Sequence, residues 1–105
     1  MSDTFEVAPF GATLASIDQS SPMPVAIAMS RPTLLTALYT PRGEDRQQPH
    51  EQDKVYMVAA GIATLEVDDD GARSLEPGDA AFVAAHAVHR FVDMSDFAAW
   101  AVFPQ

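Results

Sequence analysis

The chain predicts an all-β fold, a small antiparallel β-barrel or jelly roll, on three observations. No stretch keeps a 3.6-residue apolar stripe long enough to demand a helix. Short runs of β-branched, aromatic and small apolar residues recur instead, separated by turn signals. About eight or nine such runs crowd into 105 residues, a density that a sandwich or small barrel accommodates.

The expected strands follow in order. Thr4–Val7, Thr13–Ile17 and Val25–Met29 occupy the first thirty residues, which are read as strands available for contact with a partner subunit. Leu34–Thr40 ends at the turn Pro41-Arg42-Gly43. Val55–Ala59 and Ile62–Val67 flank Gly61, and Asp68-Asp69-Asp70-Gly71 turns the chain into a hairpin that returns to Leu75. Asp and Gly suit that turn because both tolerate positive φ. Glu76-Pro77-Gly78-Asp79 punctuates the approach to Ala80–Ala84, and His89–Val92 and Phe97–Phe103 complete the set. The alanine pairs are weak strand formers, so a short helix over 97–102 is the alternative there. Strand is preferred because Phe97, Ala99, Ala101 and Phe103 alternate with Ala98, Trp100 and Val102, giving two buriable faces.

Composition bounds the function. The length suits one domain over residues 1–105. No run of eighteen apolar residues marks a membrane span, and Met1-Ser2-Asp3-Thr4-Phe5-Glu6 lacks the pattern of a signal peptide. Cysteine is absent, which excludes disulfides and thiolate chemistry; a reducing, cytoplasmic setting is the expectation. Fifteen acidic against six basic residues leave a net charge of −9. Polynucleotides and anionic membranes are therefore poor partners, since both require a positive surface.

Three histidines carry the candidate chemistry. His50 follows Gln47-Gln48-Pro49, and His86 and His89 lie beyond the hairpin. In an antiparallel barrel, His50 and His89 can reach neighbouring inward positions, and residues two apart in an extended segment share a face. Gln48 would then look inward with His50, and Tyr56 with Lys54. Asp53 has the opposite parity to Lys54. Asp68-Asp69-Asp70 lacks the spaced ligands of a calcium loop and reads as a solvated turn. The aromatic residues Phe82, Phe91, Phe97, Trp100 and Phe103 read as core and dimer contact.

These residues resemble the two motifs of the cupin superfamily over roughly residues 34 to 103. For the second motif, Gly78 matches, Ala84 stands at the proline, His86 at the glycine, His89 at the histidine and Asp93 at the asparagine. For the first, Gly43 and Gly61 match across a spacer one residue short, His50 takes the second histidine, Gln48 the first, and Lys54 the glutamate. The segment from Gln48-Pro49-His50 through Tyr56 is similar to small single-domain bacterial cupins. The resemblance implies a cupin barrel (a double-stranded β-helix), a homodimer, and one divalent transition metal (Zn, Ni, Fe, Mn or Cu) at its centre.

By the same resemblance the metal ligands would be His50, His89, Gln48 and His86, with Lys54 and Tyr56 lining the pocket. His86 has a second reading, as a filler of the turn where the family carries glycine. Lys54 is an obstacle, because a protonated amine offers no lone pair. A buried Lys54 is also a candidate base or Schiff-base amine, against the plainer reading of an edge lysine paired with an acid such as Asp53. The expected function is a small cupin binding a divalent metal and a small molecule, and, if an enzyme, of dioxygenase, isomerase or lyase type. The alternative is a metal-free cupin that binds or senses a small molecule without catalysis.

Overall fold

The computed structural model describes residues 4–105. Its elements are one short helix, α1 (Phe10–Ala15), and six strands: β1 (Val25–Ser30), β2 (Leu34–Tyr39), β3 (Lys54–Val67), β4 (Gly71–Leu75), β5 (Ala80–Val83) and β6 (His89–Pro104). Among the described residues the strands pair antiparallel, in the order β1-β2-β6-β3-β4, and β5 pairs with the other end of β3. The all-β expectation holds.

The N-terminal part departs from that expectation. Residues 4–9 form no strand, and Thr13–Ile17, expected as a strand, lies in and just after α1. The reason is legible in retrospect: Phe10, Leu14 and Ile17 recur at helical spacing. Together they pack on Leu38, Ala98 and Trp100, with Phe10 edge-on to Trp100 at 6.2 Å. Burial of that face decides between helix and strand, because six residues are too few for a helix to stand alone in water.

Two pairs of expected strands are fused. Val55–Ala59 and Ile62–Val67 are one continuous β3, and His89–Val92 and Phe97–Phe103 are one continuous β6. Register shifts between Val58 and Thr64 let the two strands stay paired through the points where breaks were expected. On β6 the bend takes Asp93 and Asp96 to positive φ, and opposite them Gly61 has φ +69. A Cβ at Gly61 would run into the carbonyl oxygens of Ser95 and Asp96. This is a bulged crossing that only glycine allows.

Alternation then sets the interior. Along β3, Lys54, Tyr56 and Val58 are buried whereas Val55 and Met57 are exposed. The core is aromatic at its centre. Phe91 meets Tyr56 edge-on at 4.9 Å and Phe97 at 4.7 Å. Each such ring, fully buried, contributes roughly 2–3 kcal/mol. One end of this interior is apolar, and the other is where Lys54 and the histidines meet.

Candidate functional site: a lysine-centred pocket

β3 begins at Lys54, and its pleat points Lys54 and Tyr56 into the barrel. Lys54 is only 4% exposed. Its Nζ lies 2.5 Å from His50 Nδ1 and 3.3 Å from Gln47 Oε1. The Tyr56 hydroxyl donates to Gln47 Oε1 at 2.7 Å and stands 3.1 Å from His89 Nε2. His89, the first residue of β6, holds its other nitrogen, Nδ1, 2.9 Å from the carbonyl oxygen of Ala87. The hydrogen bonds assign the tautomers: His89 carries its proton on Nδ1, and His50 leaves Nδ1 free to accept from Lys54. The two imidazoles are 6.5 Å apart, centre to centre.

Asp45 fixes the arrangement from behind. Its Oδ1 accepts from the Tyr39 hydroxyl and from the Gln47 backbone N–H; its Oδ2 accepts from Gln47 Nε2 and from the Phe91 backbone N–H. Gln47 thus turns Nε2 toward Asp45 and Oε1 toward Lys54, Tyr56 and His89. The loop carrying His50 is clamped separately: His86 N–H donates to the His50 carbonyl at 2.7 Å, and Ala85 N–H donates to Asp53 Oδ1 at 2.8 Å.

Of the residues singled out by sequence, the structure brings His50, His89, Lys54 and Tyr56 together. Gln48 is exposed, and its neighbour Gln47 faces the centre instead. His86 is exposed with φ +67 and sits in the turn, contributing its backbone rather than its imidazole. Asp53 binds a backbone amide rather than Lys54. Sequence reasoning missed Asp45 and Gln47. Both lie in an irregular segment where no periodicity marks a face; the available signal was the spacer one residue short before His50.

Burial dominates the electrostatics. It lowers the pKa of Lys54 from 10.5 to about 8, with the Asp45 charge opposing. It also lowers His50 and His89, with further help from the Lys54 charge. Tyr56 is raised, again chiefly by burial. At neutral pH the centre holds neutral imidazoles, a neutral phenol and an amine that gives up its proton more readily than usual. Beside it is a cavity of about 60 Å³ lined by Met23, Tyr39, Gln47, His50, Lys54, Tyr56, Ala101 and Phe103. That is room for about two water molecules.

This donor set does not fit a divalent metal. His89 alone offers an inward lone pair in the form expected of a ligand, its far nitrogen tied to a carbonyl oxygen. His50 Nδ1 is taken by Lys54, and both oxygens of Asp45 are already engaged. Among the described residues, no three His, Cys, Asp or Glu side chains converge on a point. A protonated Lys54 would repel a dication by about 1 kcal/mol per unit charge at 4 Å even in water, and more when buried.

Comparison with known proteins places this geometry in context. The family model described as the cupin domain matches residues 36–103. Among solved structures, the chain is similar to KdgF from Halomonas sp., at 23% identity over 83% of each chain and a TM-score of 0.70. Protein NMB1881 from Neisseria meningitidis is similar at 19% identity over 95% of this chain and 100% of that one, TM-score 0.78. The DMSP lyase DddQ from Ruegeria pomeroyi DSS-3 is similar at 16% identity over 80% of this chain and 47% of that one, TM-score 0.71. No curated protein matches. At these identities the structural likenesses establish the fold, which hosts proteins of differing activity.

Proposed function

The chain belongs to the cupin domain family, and on that footing we propose that it is a metal-independent cupin that binds a small molecule at a pocket built around the Lys54 amine. The observation that carries this reading is the position of Lys54 Nζ. It is buried, 2.5 Å from His50 Nδ1, and shares Gln47 Oε1 with Tyr56. An organic cation stands where the resemblance implies a glutamate ligand.

The cavity beside that amine supports a small ligand with two unlike ends. Lys54, His50, Tyr56 and Gln47 offer hydrogen bonds on one side; Met23, Ala101 and Phe103 offer apolar contact on the other. Such pairing of a few fixed polar groups with an apolar wall is how small-molecule sites obtain orientation. The Met23 side chain is 40% exposed, so its flexible thioether can swing aside to widen the opening.

The probe is a small inert molecule, propionamide or propan-2-ol, followed through the ring resonances of His50 and His89 by NMR. Saturable shifts of both rings, abolished by Lys54→Met in a protein that still folds, are the expected result. Rings that ignore both probes would overturn the reading.

We also propose that the protein is a homodimer. Outward-facing Leu34, Val55, Met57 and Phe82 are all exposed, and Trp100 and Val102 continue the same face between them. None of these residues is charged. For a chain of net charge −9, like-charge repulsion disfavours self-association through most of the surface. An uncharged β face is where a second copy can approach.

A further inference from the structure

The pocket places an uncommon nucleophile against a small cavity. Lys54 is the only lysine in the chain, it is 4% exposed, and its nitrogen borders the roughly 60 Å³ space shared with Tyr56 and His50. A lysine held this way has little value for solubility, and among the described residues it forms no ion pair: its hydrogen-bond partners are an imidazole and an amide oxygen. We infer that Lys54 condenses reversibly with a small uncharged aldehyde or ketone to form a Schiff base. The inference deepens the pocket reading above and rests on it.

Three features choose this ligand class. The amine has its proton acceptor in place, since His50 Nδ1 lies 2.5 Å from Nζ and is a bare lone pair. Burial also makes the amine easier to deprotonate to its nucleophilic form than an exposed lysine. The surroundings of the site favour an uncharged ligand. No arginine borders the cavity, and Asp45 stands behind Gln47 with both oxygens engaged, so an anionic ligand would find no second cation. The carbonyl would face Lys54 and Tyr56, and a short alkyl end would rest on Ala101 and Phe103.

The step balances without a further reactant. Lys54 gives a proton to His50 Nδ1, and the freed lone pair forms a C–N bond to the carbonyl carbon. The carbonyl oxygen takes that proton back from His50, giving a carbinolamine. Loss of a second proton from nitrogen, relayed to the hydroxyl by His50, lets the C–O bond break and water depart. The nitrogen has lost two protons, both carried off in the water, and the product iminium keeps the single positive charge.

The test is reductive trapping. The full chain is incubated with propanal or acetone and cyanoborohydride, and the adduct is located by peptide mass spectrometry. With one lysine in the chain, the α-amine is the internal reference for unassisted reaction. The expected result is an alkylated Lys54 in excess of the α-amine adduct. It should be lost in Lys54→Met and reduced several-fold in His50→Ala, with the α-amine adduct unchanged in both. An adduct confined to the α-amine, while propan-2-ol still shifts the His50 and His89 rings, would overturn the Schiff-base inference and leave the pocket reading standing. No adduct at Lys54 and no ring shifts would overturn both.

Discussion

Lys54 Nζ and His50 Nδ1 stand 2.5 Å apart inside the barrel, and both groups hold their protons less tightly than they would in water. Burial is the larger cause for both residues, and the Lys54 charge adds to it at His50. Lys54→Met removes that charge at similar volume. The His50 pKa should move up toward its ordinary value of 6.5, read as a shifted midpoint in an NMR titration. Stability at pH 7 should stay level or rise by about 1 kcal/mol, because an apolar replacement no longer desolvates an amine. A fall of more than about 2 kcal/mol would mean the amine holds the fold together.

The same groups set the dependence of stability on pH. His50 and His89 have folded pKa values below 6.5. Just below that pH the unfolded chain therefore binds more protons than the native one, and stability falls as pH drops through that window. Lys54 acts in the same sense higher up. Between about 8 and 10.5 the unfolded lysine is protonated and the folded one increasingly neutral, so this residue raises stability as pH climbs. Urea unfolding at pH 5.5, 7 and 9.5 checks both. In His50→Ala the acid loss should shrink, and in Lys54→Met the alkaline gain should vanish; unchanged profiles would refute the assignments.

Gly61 tests the bulged crossing of β3 and β6. Gly61→Ala meets the carbonyl oxygens of Ser95 and Asp96 and holds an L-residue at φ +69. The expected cost is about 3 kcal/mol or more. Gly43 also has positive φ, but nothing stands within 4 Å of an added Cβ, so Gly43→Ala should cost only about 1 kcal/mol. Equal midpoints for the two variants in chemical denaturation would contradict the packing described at Gly61.

The uncharged sheet face makes a separate prediction. Light scattering at micromolar concentration should give the mass of two chains, and Val55→Glu with Met57→Glu should give the mass of one without loss of secondary structure. Both residues are outward and exposed, so folding itself should tolerate the change. A monomeric parent protein would remove the dimer.

What could be read in the sequence divides along periodicity. Where the chain is extended, the two-residue repeat put Lys54 and Tyr56 on one face, and both are buried there. It also kept 97–102 as strand, and that segment lies within β6. The first turn of helix escaped because Phe10, Leu14 and Ile17 make a stripe only three residues long, too short to stand out. The pocket's back wall escaped for another reason. Asp45 and Gln47 lie between β2 and β3 without regular structure, where facing is set by hydrogen bonds to Tyr39, Tyr56 and Phe91. Parity carried across Pro49 pointed to Gln48, but that argument needs a continuous pleat. The fused strands are a third case: breaks were expected after Ala59 and Val92, and Gly61 and Asp93 just beyond them are bends at positive φ within longer strands.

In the proposed function, Lys54 takes the place of a metal in the core of this cupin. Elemental mass spectrometry tests it most directly, on untagged protein as purified and after incubation with Zn²⁺, Ni²⁺ and Fe²⁺ followed by dialysis. Far less than one metal per chain is expected in every sample, with an increase in Lys54→Glu, which places a carboxylate beside His50 and His89. A near-stoichiometric metal in the parent protein, lost in both His50→Ala and His89→Ala, would contradict it.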